Sequence, residues 1–531
     1  MNTYQNNFSQ NGREAGTGAR IQTPLMARTV TEELTDDFSL PEYKPEIRRM
    51  LSVTAEALPA AHYLTPGHAE FAGSIRYCIC YEGSDGGVWS AELPSEYDFD
   101  LLLDNDPAFD TDGMTAYADV TCESVTARVT APRRMALRAR VRADATVLGM
   151  RRLDENVSGG AAVPEGDLCR LTETRETALI ARETADAADY SETFLPDDGG
   201  NGELRVILCR AEPFVGEVGT TLEGVTVRGE LVVNTLLCRD SEGSRPFAVS
   251  RRIPFSETVH FDSAPDRAAG CRAWGCVTSA VAEPDENGGV AVTVGLVLTA
   301  EVATPATVAY TADIYSLSSE SSTVTRECGS ALMKKCINSN LTVTGSAELA
   351  ALGLDGGIRV VDACADVVPS AERAAEGEKF SVCGKLRVHA LVDNGAETSG
   401  KEFEIPYKYE PDIPGGEQPY SGGGYSEWNL SVPVCRVRVD GEKLTADCEL
   451  AVSARICSRR KLESVSEVRV GEPRAARGGN ITVCYPEQGE TLWNVAKRYG
   501  IPSADIASEN GIEGTKKDTD SLDGVKYLLI R

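Results

Sequence analysis

Histidine is nearly missing from this chain of 531 residues, which holds only His62, His68, His260 and His389. None of the four sits in a cluster with metal-ligand spacing, so surface or incidental roles are expected and a zinc centre is not. Aromatic residues are sparse at 6%, although hydrophobic content of 42% is compatible with well-packed globular domains. The sixteen cysteines form no Cys-x-x-Cys. Gly-x-Ser-x-Gly, phosphate-cradling glycine loops and the zinc-protease helix motif are also absent. Carboxylates abound, but abundance does not make an acid–base pair, and no catalytic constellation emerges. The expectation is a protein that is not an enzyme and uses no cofactor or metal.

Basic charge is also in deficit. A net charge of −28 argues against nucleic acid and anionic membrane surfaces, which need a concentrated basic face. No stretch approaches the roughly 20 apolar residues that span a bilayer. The polar start, Met1 to Gln10, has no apolar signal-peptide core. Cys78, Cys80, Cys209, Cys238, Cys383, Cys435, Cys448 and Cys457 lie in or beside apolar strand-like runs. A cytoplasmic protein with reduced, mostly buried thiols is therefore expected.

What the chain does have is internal repetition. Ile47-Arg-Arg-Met-Leu-Ser-Val53, Leu204-Arg-Val-Ile-Leu-Cys-Arg210 and Ile358-Arg-Val-Val-Asp-Ala-Cys364 begin alike. Each leads to a strand built around a glycine, Gly73, Gly229 or Gly384, at a nearly constant period of about 155 residues. A proline follows in the same order (Pro94, Pro254, Pro406). A long alternating strand follows it: Met135–Val141, Val290–Leu296 or Leu444–Leu450. Four landmarks in one order indicate a tandem triplication.

In the third copy Phe380, Val382, Leu386, Val388, Ala390 and Val392 alternate with Ser381, Lys385, Arg387 and His389. That period predicts antiparallel sheets with one wet face, in a β-sandwich-like unit. Residues 166–190 read as a segment that carries a helix. Residues 154–165 read as a linker, 317–324 as a second joint, and Pro411–Gly424 as a flexible insertion. Gly471–Asn480 reads as a tether. The expected division is a disordered N-terminus at 1–20, β repeats at 21–153, 166–316 and 325–468, and a terminal domain at 480–531.

In that terminal domain Ile481, Val483 and Tyr485 alternate with Thr482 and Cys484, as in a short strand with one buried face. Gly489 permits a tight turn, and Thr491 opens a helix striped by Leu492, Val495, Ala496 and Tyr499. Gly500 stops it. Ala504, Ile506 and Ala507 suggest a second helix, closed by Asn510-Gly511, and Val525–Ile530 is the returning strand. Trp493 reads as a packing residue rather than a sugar-stacking platform.

The run Gly489-Glu-Thr-Leu-Trp493 and its surroundings resemble a LysM module, a small βααβ domain best known for binding N-acetylglucosamine-containing glycans. Glu490 stands where the family usually has Asp, and Leu522-Asp523-Gly524 where it usually has Pro-Gly-Gln. By that resemblance the binding groove is Gly489, Glu490, Thr491, Leu492, Asn510, Gly511 and Ile512. The whole is then a mainly β chain: three tandem antiparallel β-sandwich-like repeats plus a small C-terminal βααβ LysM domain.

Tandem β repeats ending in a LysM module resemble the clostridial spore-morphogenesis family called SipL, with its SPOCS repeats. The first copy keeps the most family-like entry, Leu40-Pro-Glu-Tyr-Lys-Pro-Glu-Ile-Arg-Arg-Met-Leu51. The resemblance implies a mother-cell protein at the forespore surface whose partner is the spore-coat ATPase, stage IV sporulation protein A. It also implies a scaffold in which tethered modules gain avidity. The alternative is a peptidoglycan-binding protein of the cell wall. A wall hydrolase would need a catalytic domain within 21–465, and none is read there.

Overall fold

The structure is a computed structural model. It describes residues 19–531 apart from 105–108, 110–112, 154–165, 197–201, 241–244, 263–268, 369–371, 374–379, 414–424, 476–480 and 513–517. The expected linker at 154–165 lies outside the described residues, as do most of the expected disordered start and loop insertion and half of the expected tether.

Each repeat lays down two antiparallel sheets. The first has strands β1 (Arg20–Ser39), β2 (Ile47–Ala57), β3 (Ala61–Thr65), β4 (His68–Gly83), β5 (Val88–Leu102), β6 (Thr115–Ala131) and β7 (Arg134–Arg152). The second has β8 (Leu168–Asp186), β9 (Tyr190–Phe194), β10 (Leu204–Thr220), β11 (Gly224–Arg239), β12 (Phe247–His260), β13 (Gly270–Pro284) and β14 (Val290–Ser316). The third has β15 (Ser319–Glu348), β16 (Arg359–Val368), β17 (Glu372–Arg373), β18 (Ser381–Asp393), β19 (Thr398–Tyr409), β20 (Tyr425–Asp440) and β21 (Lys443–Pro473). With the short β3, β9 and β17 set aside, each repeat has six main strands. The sixth lies between the first and fifth, and the third between the second and fourth. The order is identical three times.

Alternation explains how the two sheets of a repeat close on each other. In β7 Met135, Leu137, Ala139, Val141, Ala143, Ala145 and Val147 are all buried in one core shared with Phe71, Ile75, Tyr77 and Ile79 of β4. The second and third repeats have matching cores of their own. The landmark glycines have a packing reason. Gly73, Gly229 and Gly384 stand directly opposite Tyr97, Phe255 and Tyr407 on the neighbouring strand. A Cβ on Gly73 would lie 2.7 Å from the Tyr97 ring, and one on Gly229 2.8 Å from the Phe255 ring. The ring covers the bare backbone, an exchange of side-chain bulk across the strand pair.

Three expectations need correction. Residues 168–186 form β8 and not a helix. Thr172, Thr174, Thr177 and Thr184 favour the pleat, and pairing along the length of β14 overrides the helix preference of the Glu and Ala between them. The serine-rich stretch at 317–324 is no joint. Asp167 accepts from the Ser318 amide at 2.8 Å, and Ser316 Oγ accepts from the Ser319 amide at 2.9 Å. These side chains fix a tight turn from which β15 runs straight on. The second face of β18 is only partly wet. Lys385 is exposed, but Ser381 and His389 are buried, and at His389 that face looks onto the first repeat. His389 is paired with Asp366 at 3.0 Å, so it is not a surface histidine.

The repeats close into a ring. Arg205 of β10 donates to the Val88 carbonyl of the first repeat at 3.2 Å, and Arg359 of β16 to the Pro246 carbonyl of the second at 3.0 Å. Arg49 of β2 completes the circle by donating to the Thr398 carbonyl of the third at 2.7 Å. The three arginines pair with Glu82, Cys238 and Asp393, which occupy the same place relative to each landmark glycine. Each second strand also carries a β-bulge, at Leu51, Ile207 and Val361. The bulge residues converge with Cys80, Leu236 and Leu391 in one apolar cluster on the pseudo-threefold axis. A bulge turns a side chain out of the pleat, and here it turns one from each repeat towards the centre.

Elsewhere the repeats meet through charge. Equivalent cross-strand pairs are Tyr117/Thr146, Arg272/Glu301 and Glu427/Arg455. Glu301 takes Arg272 at 2.8 Å, Arg455 at 2.7 Å and Arg182 at 3.0 Å. Arg182 also reaches Asp119 at 2.9 Å, and Arg455 reaches Glu427 at 2.8 Å. Three arginines thus face three carboxylates, and all three repeats contribute. Burial works against the Glu301 charge, but Arg272, Arg455 and Arg182 outweigh it and hold the carboxyl well below its usual range.

None of the sixteen cysteines is in a disulfide, and none is exposed. Burial pushes the Cys78 thiol up to about 11 and the Cys80 thiol up to about 12, so both are inert protonated packing groups near neutrality. No helix among the described residues is long and apolar enough to cross a membrane.

Candidate binding site

The last domain is β22 (Thr482–Cys484), α1 (Leu492–Tyr499), α2 (Ser503–Glu509) and β23 (Leu528–Ile530), with β22 and β23 paired antiparallel. Thr491 caps α1: its backbone is extended and its Oγ accepts from the Asn494 amide at 3.2 Å. Gly500 ends α1 at φ 61°, a left-handed conformation that glycine adopts freely. Ile501 N–H then reaches back to the Ala496 carbonyl at 3.2 Å, which closes the helix in a Schellman turn.

The seven groove positions do different work. Gly489 sits at φ 78° and donates its amide to Asp523 at 3.0 Å. Glu490 is buried; one carboxylate oxygen accepts from the Glu487 amide at 2.9 Å and the other pairs with Arg498. Leu492 and Ile512 both pack into the domain core. Asn510 behaves like a piece of extra strand. Its amide donates to the Leu529 carbonyl at 2.8 Å, and its Oδ1 accepts from the Leu529 amide at 2.7 Å. Gly511 follows at φ 66°. The turn at 489–492 is tied to Ser521, Leu522 and Asp523, and the 510–512 segment to α2 and β23. Five of the seven positions (Glu490, Thr491, Leu492, Asn510 and Ile512) use their side chains in the domain's own packing, and the other two are glycines.

The domain is also bolted to the second repeat. Trp493 donates its indole N–H to Asp313 at 2.8 Å and meets the Tyr315 ring edge-on at 4.8 Å. Lys497 reaches both Asp313 oxygens at 2.7 Å. The Tyr315 hydroxyl donates to the Ile501 carbonyl at 2.7 Å. Arg474 binds the last α1 carbonyls, those of Lys497 and Arg498, at 3.3 Å each, where a cation suits the helix end. The core of this domain includes Tyr315, so it is a docked cap and not a free module on a tether. Nothing in the sequence near Trp493 points to Asp313, which lies far earlier in the chain.

The strand parity of β22 is the second surprise. Its buried residue is Cys484, while Ile481, Val483 and Tyr485 are 57%, 47% and 71% exposed. Tyr527, preceding β23, is 54% exposed. Alternation alone could not choose, because cysteine and valine are both at home in a core. The result is an apolar outer face on a two-stranded sheet, an arrangement suited to contact with another molecule.

Comparison with known families agrees with this geometry. Residues 487–516 match the LysM domain, so the chain ends in a LysM domain, a non-catalytic binding module. No curated protein and no solved structure matches the chain.

Proposed function

We propose that this chain is a non-catalytic scaffold of the spore envelope that holds a partner through its LysM cap. The observation that carries the reading is the exposed face of Ile481, Val483, Tyr485 and Tyr527 on a domain docked to the second repeat through Trp493, Lys497 and Asp313. Four large apolar side chains left in water on so small a domain cost free energy unless something covers them. The SipL-like resemblance of the repeats supplies the finer reading. In it the three SPOCS-like repeats, bounded near 21–153, 166–316 and 325–468, form the body. The partner is stage IV sporulation protein A, and the setting is the mother-cell cytoplasm at the forespore surface.

The second reading is a peptidoglycan-binding protein. The LysM match itself favours it, and the exposed rings of Tyr485 and Tyr527 could stack on sugar faces. The full-length chain separates the two, since the cap shares its core with the second repeat. Capture of the ATPase from sporulating lysate, abolished by Val483→Glu, supports the scaffold. Co-sedimentation with insoluble peptidoglycan and no ATPase capture supports the glycan reading.

A further inference from the structure

The three junctions of the ring are built alike but not filled alike. Between the first and second repeats, Arg76 of β4 crosses over and donates to the carbonyls of Val277 and Thr278 at 3.1 and 3.0 Å, backed by Glu56 at 2.6 Å. Those carbonyls lie at a β-bulge of β13. Between the second and third repeats, Arg210 pairs with Asp362 and touches the Cys364 sulfur at 3.1 Å.

Arg387 holds in β18 the place that Arg76 holds in β4, at the same distance past the landmark glycine. It does not cross. It pairs with Glu402 of its own repeat at 3.3 Å. A groove of about 490 Å³ is left between the third and first repeats, lined among others by Ser52, Ser124, Thr126, Arg387, His389 and Lys401. Beside the groove the junction is held by Arg49 on the Thr398 carbonyl and by an Arg49–Glu397 pair at 3.2 Å whose side chains are 37% and 52% exposed. Elsewhere Tyr117 donates to Glu427 at 3.0 Å, Asn429 to Asp119 at 3.2 Å and Ser464 to the Leu153 carbonyl at 3.3 Å. Gly400 rests against the Leu51 backbone so closely that any Cβ would overlap it. The first and third repeats are also the pair that do not follow one another in the chain.

We infer that this seam is an exchangeable interface, at which the first repeat of one copy docks on the third repeat of a second copy through the contacts that close the ring within one chain. The two surfaces differ, so the contact is heterologous and can be made reciprocally in a pair or head-to-tail in a row. An unfilled groove and a solvent-screened ion pair make the part of this junction around Arg49 the easiest to open, and the Tyr117–Glu427 and Asn429–Asp119 hydrogen bonds that part with it can re-form between two copies. The net charge of −28 opposes the approach of copies, so added salt promotes exchange. This inference is independent of what the LysM cap binds.

Charge reversal tests it on the full chain. Arg49→Glu and Glu397→Arg are unfolded and refolded, separately and mixed, and sized by chromatography with light scattering. Either variant alone brings like charges together at its seam, whereas a pair made of one copy of each regains opposite charges at both seams. The expected result is several-fold more dimer in the mixture than in either sample alone, with both chains present by mass. A mixture with no more dimer than its parts overturns the inference. Gly400→Val, which overlaps the Leu51 backbone in one chain or between two, removes the dimer of the native chain. Dimers that persist in folded Gly400→Val belong to another surface and overturn it as well. If that variant fails to fold, the exposed pair still decides.

Discussion

The long strand β14 ties two other parts of the molecule together with two carboxylates, under opposite conditions. Glu301 is buried and surrounded by Arg182, Arg272 and Arg455. Asp313, further along the same strand, is partly exposed and holds Trp493 and Lys497 of the LysM cap. A buried carboxylate without its cations is far more costly than one that water can reach. The contrast teaches that the body is locked and the cap is latched. Disturbing the first loosens all three repeats, while disturbing the second frees one domain.

The largest expected effect comes from breaking the lock. Glu301→Gln leaves three arginines facing two carboxylates in a buried site and should cost about 3–5 kcal/mol, read as a lowered denaturant midpoint for the whole body. Acid should act in the same way. The folded Glu301 carboxyl lies below its unfolded value, so its stabilisation is complete above the ordinary carboxylate range and is lost as pH falls through that range towards the folded value. A midpoint in Glu301→Gln that depends on acid as steeply as in the native chain would contradict this. Next in size, Leu492→Glu puts a charge in the LysM core and should cost that domain roughly 3 kcal/mol or more. Hydrogen exchange should then rise throughout 482–530 while the β14 amides near Glu301 keep their protection.

A smaller change sharpens the comparison. Asp313→Ala removes one latch carboxylate and should weaken docking by about 1–2 kcal/mol. Exchange should rise at Trp493 to Ile501, with the body's transition unchanged. If the body melts earlier as well, the cap and the lock are one cooperative unit. The smallest effect on stability, within about 0.5 kcal/mol, is expected for Val483→Glu, whose side chain lies in water. That variant should nevertheless lose partner capture.

Much of this architecture was legible in the chain. Met135 to Val147 and Phe380 to Val392 announce their strands by alternation. The recurring glycines announce the triplication, although their cause, an aromatic ring on the opposite strand, shows only in the register. The LysM helices were equally plain, because Thr491 and Gly500 mark the start and stop of α1. Ring closure was not legible. The arginines that close it recur in all three copies, Arg49, Arg205 and Arg359, but they reach backbone carbonyls of the neighbouring repeat, and a carbonyl leaves no mark in the sequence. One signal was available: aligning the copies on their last long strand sets Arg272/Glu301 over Glu427/Arg455, a reversed charge pair that marks facing surfaces. The outer face of β22 was hidden because Cys484 and Val483 both suit a core. The latch joins residues too far apart in sequence for any local pattern to link them.

Small-angle X-ray scattering on the dilute full-length chain tests the central claim most directly. A closed body with a docked cap should give a radius of gyration near about 24 Å, as expected for one compact unit of this length, and a bell-shaped distance distribution. A clearly larger radius with an elongated, shouldered distribution would mean separate bodies on a string and would contradict ring closure.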